Sequence, residues 1–93
     1  MPINPVLNGA QYIASGQVTI ATTATLIVTP RATRRSIGIL NSGSNTIYLG
    51  GPTVTLTTGH QLPSGAFIGI PTTTEIWAIG VGASSVTFVE AYD

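Results

Sequence analysis

From Gly16 onward, apolar and polar residues alternate with a period of two, the spacing of a strand with one buried face. QVTIA, 17–21, places Val18 and Ile20 on one face. In TLIVT, 25–29, the alternation predicts Leu26 and Val28 inward, with Thr25, Ile27 and Thr29 outward. RRSIGILNS puts Ile37 and Ile39 together, and NTIYLG pairs Ile47 with Leu49 while turning Tyr48 to the other face. TVTLT, 53–57, repeats the pattern with Val54 and Leu56. AFIGI and EIWAIG are denser in apolar residues and read as strands covered on both faces. SVTFVEAY, 85–92, carries Val86 and Phe88 on one face.

Turn residues separate these runs. NSGSN, 41–45, reads as a short hairpin loop with Gly43 at positive φ. PTTTE and GVGASS connect the last three strands. Gly50-Gly51-Pro52 ends one strand and re-aims the next; Gly59 and the PSG at 63–65 do the same. A phosphate-cradling loop needs a helix after its glycines and a lysine or acidic partner, and neither follows here. Short connections predict antiparallel pairing. The fold class is therefore all-β: one small antiparallel β-sandwich or jelly-roll-like barrel of seven to eight short strands over residues 16–93. Residues 1–15 lack clear alternation and carry Pro2 and Pro5, so they predict an extended N-terminal arm.

Composition narrows the function classes. Only 6% of the residues are charged, against about 25% in ordinary domains. The cations are Arg31, Arg34 and Arg35, the anions Glu75, Glu90 and Asp93, and the formal net charge is +0. Such neutrality favours association over repulsion. A general nucleic-acid binder needs a basic face, which is missing. With no cysteine there is neither a disulfide framework nor a thiolate metal site. No apolar run is long enough for a membrane helix. The opening MPINPVLNGAQYIASG lacks a basic and then apolar leader pattern, so synthesis in the cytoplasm without a signal peptide is expected.

Candidate chemistry is sparse. His60 is the single imidazole and lies in a polar loop by sequence. Glu75 and Glu90 sit near strand ends and read as rim charges or partners of the arginines. Neither set builds a nucleophile–base arrangement or a metal-ligand spacing, so no enzyme, cofactor or metal is expected. PRATRR is the one charge cluster. Arg34 and Arg35 are adjacent and so point to opposite faces of a strand, with Arg31 joining Arg35 if that strand is continuous. These arginines suit either docking onto carboxylates or protection of an edge strand. Tyr12, Tyr48, Trp77 and Tyr92 are the aromatic candidates for a sugar surface, although the apolar neighbours of Trp77 point to core or interface.

The run from RRSIGILNSGSNTIYLGGPTVT through LPSG to IWAIG and VTFVE resembles small virion structural proteins of tailed bacteriophages, over residues 31–93. That resemblance implies a capsid decoration or related head or tail accessory protein. It would form a homo-oligomer, a trimer above all, and cement the major capsid protein lattice in the virion. No catalytic residues come with it. Under this expectation Ile27, Leu40 and Trp77 are buried between subunits, with Tyr48 and the arginines also at partner interfaces. The arm, through Pro2, Ile3, Pro5, Val6, Leu7 and Tyr12, then reaches over a neighbour. The alternative it leaves open is a tail, fibre or connector module, one form of which binds host glycans.

Overall fold

A computed structural model describes residues 9–93. It holds eight strands: β1 Tyr12–Ile20, β2 Thr25–Val28, β3 Arg34–Asn41, β4 Ile47–Gly50, β5 His60–Leu62, β6 Phe67–Ile70, β7 Ile76–Gly80 and β8 Ser84–Tyr92. They form two sheets of four, ordered β1-β8-β3-β6 and β2-β7-β4-β5. Every pairing is antiparallel. The pairs β1–β8, β2–β7, β3–β6 and β4–β5 are those of one long hairpin folded between β4 and β5. Rolling that hairpin up brings β8 beside β3 and β7 beside β4, which is the jelly-roll form of the sandwich.

The antiparallel expectation holds for a different reason than the one that predicted it. Among the described residues, β4 and β5 alone pair with their chain neighbour. The other short connections cross from one sheet to the other. NSGSN is accordingly no hairpin loop, because it carries the chain from β3 in one sheet to β4 in the other. Gly43 does not take positive φ either; Gly65 does, at φ 80. A Cβ on Gly43 would come within 2.8 Å of the Ser85 amide nitrogen, so close backbone approach is what demands glycine there. Asn41, fully buried at 0% exposure, organises this crossing. Its Nδ2 donates to the carbonyls of Asn45 at 2.8 Å and Leu62 at 2.9 Å. Its Oδ1 accepts from the Gly43 amide at 3.1 Å.

The core lies between the sheets. Ile20, Ile37, Ile39 and Val86 face inward from the first sheet, and Ile47, Leu49, Leu62, Ile76 and Ala78 from the second. This is the alternation read from the sequence for β1, β3, β4 and β8. Three expectations are corrected. Ile27 does not face outward: it is 6% exposed, inside the core, because the β2–β7 register shifts between Leu26 and Val28. Residues 53–57 are not a strand; they belong to a turn-rich loop in which the Gly59 amide donates to the Thr55 carbonyl at 2.9 Å. Their apparent alternation reflects Val54 alone, which tucks over Gly50, while Leu56 is exposed. AFIGI is not covered on both faces. Its strand β6 is the edge of the first sheet, and Phe67 and Gly69 are exposed.

β1 starts at Tyr12, ahead of the sandwich boundary expected at residue 16, because Tyr12–Ser15 extend the ladder to β8 as far as Tyr92. The remaining arm positions Pro2, Ile3, Pro5, Val6 and Leu7 lie outside the described residues.

Candidate functional site

The arginine cluster sits where β3 and β8 begin and end. Arg34 and Arg35 do point to opposite faces, but with an outcome that alternation alone does not reveal. Arg34 is 3% exposed. Its Nε donates to Glu90 Oε1 at 2.8 Å and its Nη1 to the carbonyls of Thr74 at 2.7 Å and Thr72 at 3.4 Å. Its Nη2 donates to the Thr29 carbonyl. One side chain of the first sheet thereby ties down both connections that flank β7 and β2 in the second. Arg31 does not join Arg35. It precedes β3, lies 3.3 Å from Glu90 Oε1, and sets its guanidinium 3.8 Å from the centre of the Tyr92 ring. Arg35 pairs instead with Asp93, Nε to Oδ2 at 2.9 Å. That hydrogen bond, aided by one from the Gln11 amide, holds the Asp93 carboxyl below its ordinary 3.8 against an opposing desolvation. The expected docking arginines are thus engaged within the molecule.

The outer face of the first sheet was not singled out in the sequence as a surface. Register places three rows on it: Ile13–Ala91–Ser36, Ser15–Val89–Gly38–Gly69, and Gln17–Thr87–Leu40–Phe67. No residue in these rows is charged. Ile13 is 74% exposed and Phe67 64%, with Leu40 and Val89 also exposed. The Phe67 ring leans over Gly38, where a Cβ would lie 2.7 Å from its tip. Shallow grooves run on either side of that ring, and Gly38 and Val89 line both. Leu40 is therefore outward as expected. The signal that could have found the rest is the pairing of an exposed-parity Phe67 with Gly38 and Gly69, which leave the ring nothing to bury against.

The other aromatic candidates separate. Tyr12 is exposed and its ring lies 5.5 Å from that of Tyr92. Tyr48 and Trp77 share the outer face of the second sheet, opposite Ile79 and Gly50 respectively. Both are half-buried, so they form no open stacking platform. The indole Nε1 of Trp77 is buried without a hydrogen-bond partner among the described residues.

A cleft of about 390 Å³ opens between the sheets beside β6. Leu49, Ile68, Ile70 and Ile76 line it, and His60 and Glu75 stand among its lining residues. His60 is in β5 rather than in a loop, opposite Leu49. Glu75 immediately precedes β7. Among the described residues, no three of His, Asp or Glu gather as a metal site.

No family model matches the chain. No curated protein matches it either. Among solved structures, one of Bacillus endospore appendages, described as a novel family of disulfide-linked pili, aligns over 99% of this chain and 98% of its own. The identity is 14% and the TM-score 0.46. This match corrects the resemblance to phage virion proteins. It is to an appendage protein, not a phage protein. The capsid-decoration role, the major capsid protein as partner and the virion location, all implied by that resemblance, fall with it.

Proposed function

We propose that this chain is a structural subunit that associates with copies of itself into a fibre, and that it is not an enzyme. The observation that carries this reading is the apolar patch on the outer face of the first sheet, with Ile13, Leu40, Phe67 and Val89 exposed together and the charge of Arg35 at one end paired with Asp93. Contiguous apolar surface of this kind marks interaction sites. The interior has its own core, formed by residues of the opposite parity, so these side chains are not borrowed from it. The three arginines pair with two of the three acids inside the molecule and the formal net charge is +0, which leaves little repulsion between copies. β6 adds an open edge from Phe67 to Ile70 with no charged residue to discourage contact.

Contact between this face and a different surface of the next copy does not close on itself and propagates a fibre; a cyclic contact would give the closed trimer instead. Such a fibre is non-covalent, since the chain has no cysteine. Negative-stain electron microscopy of purified protein tests the reading. Wild type should form fibres, and Phe67→Glu should abolish them while leaving the thermal unfolding midpoint nearly unchanged. Fibres that persist in Phe67→Glu would remove the sheet face from the account.

A further inference from the structure

Glu75 stands apart from the other charged side chains. Arg31 and Arg34 share Glu90, and Arg35 holds Asp93. Among the described residues, the Glu75 carboxylate has no ion pair and accepts no hydrogen bond. It is half-buried at the edge of the inter-sheet cleft. The chain has no lysine to answer it.

His60 is out of pattern in a second way. Ile47 pairs with Leu62 and Leu49 with His60, so all four side chains share the inward-facing side of the second sheet. The other three are buried, while His60, the first residue of β5, is exposed beside the cleft. β5 is only 3 residues long. The second sheet therefore stops short of covering β6, and Ile68 and Ile70 remain half-buried though they face inward. The result is a cleft with an apolar floor and two polar groups unengaged by the fold.

We propose that this cleft binds a small hydrophobic cation: a compact alkyl or arylalkyl body carrying an ammonium head. The body lies on Leu49, Ile68, Ile70 and Ile76, and the ammonium meets the Glu75 carboxylate with His60 at hydrogen-bonding reach of the polar end. Charge decides the class. An anion is repelled by Glu75, and a neutral apolar guest strips water from that carboxylate without replacing it. A cation replaces the lost hydration with an ion pair in a partly desolvated site. The arginines do not supply the cation, because all three are engaged within their own copy. A volume of about 390 Å³ falls at the small end of ligand sites and suits a small guest. The cleft lies on the inner side of the first sheet, away from the apolar outer face, and borders the β6 edge.

Titration calorimetry on the full chain tests it, with the Phe67→Glu protein run beside wild type as the non-assembling control. The probes are 2-phenylethylammonium, the neutral 2-phenylethanol and the anionic phenylacetate. The ammonium should bind saturably, the alcohol more weakly by about fivefold, and the acid not measurably. Glu75→Gln should weaken the ammonium by about fivefold and leave the alcohol unchanged. Ile70→Phe, which narrows the cleft from an already half-exposed position, should reduce binding of both. No saturable heat with the ammonium overturns the proposal. So does equal affinity for ammonium and alcohol in the wild-type chain, which needs no variant to fold.

Discussion

The guanidinium of Arg34 is buried with Glu90 on one side and three backbone carbonyls on the other, a polar knot in an otherwise apolar sandwich. Glu90→Gln leaves that cation uncompensated and should cost about 3–5 kcal/mol in urea denaturation. Replacing both residues, as Arg34→Met with Glu90→Leu, removes the stranded charge but orphans the carbonyls of Thr29, Thr72 and Thr74. The double variant should therefore recover only part of that loss; full recovery would show that the carbonyl contacts contribute nothing. Asn41 is the neutral counterpart. Asn41→Ala takes a donor from the carbonyls of Asn45 and Leu62, leaves the Gly43 amide only the Ser85 carbonyl, and should cost about 2–3 kcal/mol. At Asp93 the sign follows from its depressed folded-state pKa. The Arg35 pair stabilises the fold above the ordinary carboxylate value of 3.8 and is lost as pH falls through the lower folded value. Asp93→Asn should thus lower the thermal midpoint at neutral pH, and the gap to wild type should close below pH 3.8; a gap that persists at acid pH would assign the loss to packing.

At the scale of elements, local periodicity reads well where a strand is regular and one-sided. Ile37 with Ile39, Ile47 with Leu49, and Val86 are inward as their alternation demands. It fails where geometry departs from two residues per repeat. The bulge in β2 sends Ile27 to the core along with Val28, and a loop side chain, Val54, imitates a strand at 53–57. Partner choice between strands was not legible at all. The jelly-roll order depends on where connections cross, and a loop such as NSGSN carries the same residues whether it turns back or changes sheets. The candidate site was readable only in part, for the same reason. Leu40 showed itself by parity, but the exposed face needs Ile13 and Val89 brought beside it by β1 and β8. The cleft needs His60 set opposite Leu49, and the fate of Arg34 needs Glu90, 56 residues away in the chain. Gly38 offers a check on the packing of β6. Gly38→Ala forces the Phe67 ring to move and should alter assembly more than folding stability, seen as a shifted critical concentration with a nearly constant unfolding midpoint.

The whole molecule has a core between its sheets and a second apolar surface outside them, with no net charge to keep copies apart. Those three properties together argue for open-ended self-association. Multi-angle light scattering across a concentration series tests that claim most directly. The account predicts a mean mass that climbs with concentration without reaching a plateau, and a Phe67→Glu protein that stays at the monomer mass of 9.5 kDa throughout. A wild-type protein that remains monomeric at every concentration, or that stops at a closed trimer, would contradict it.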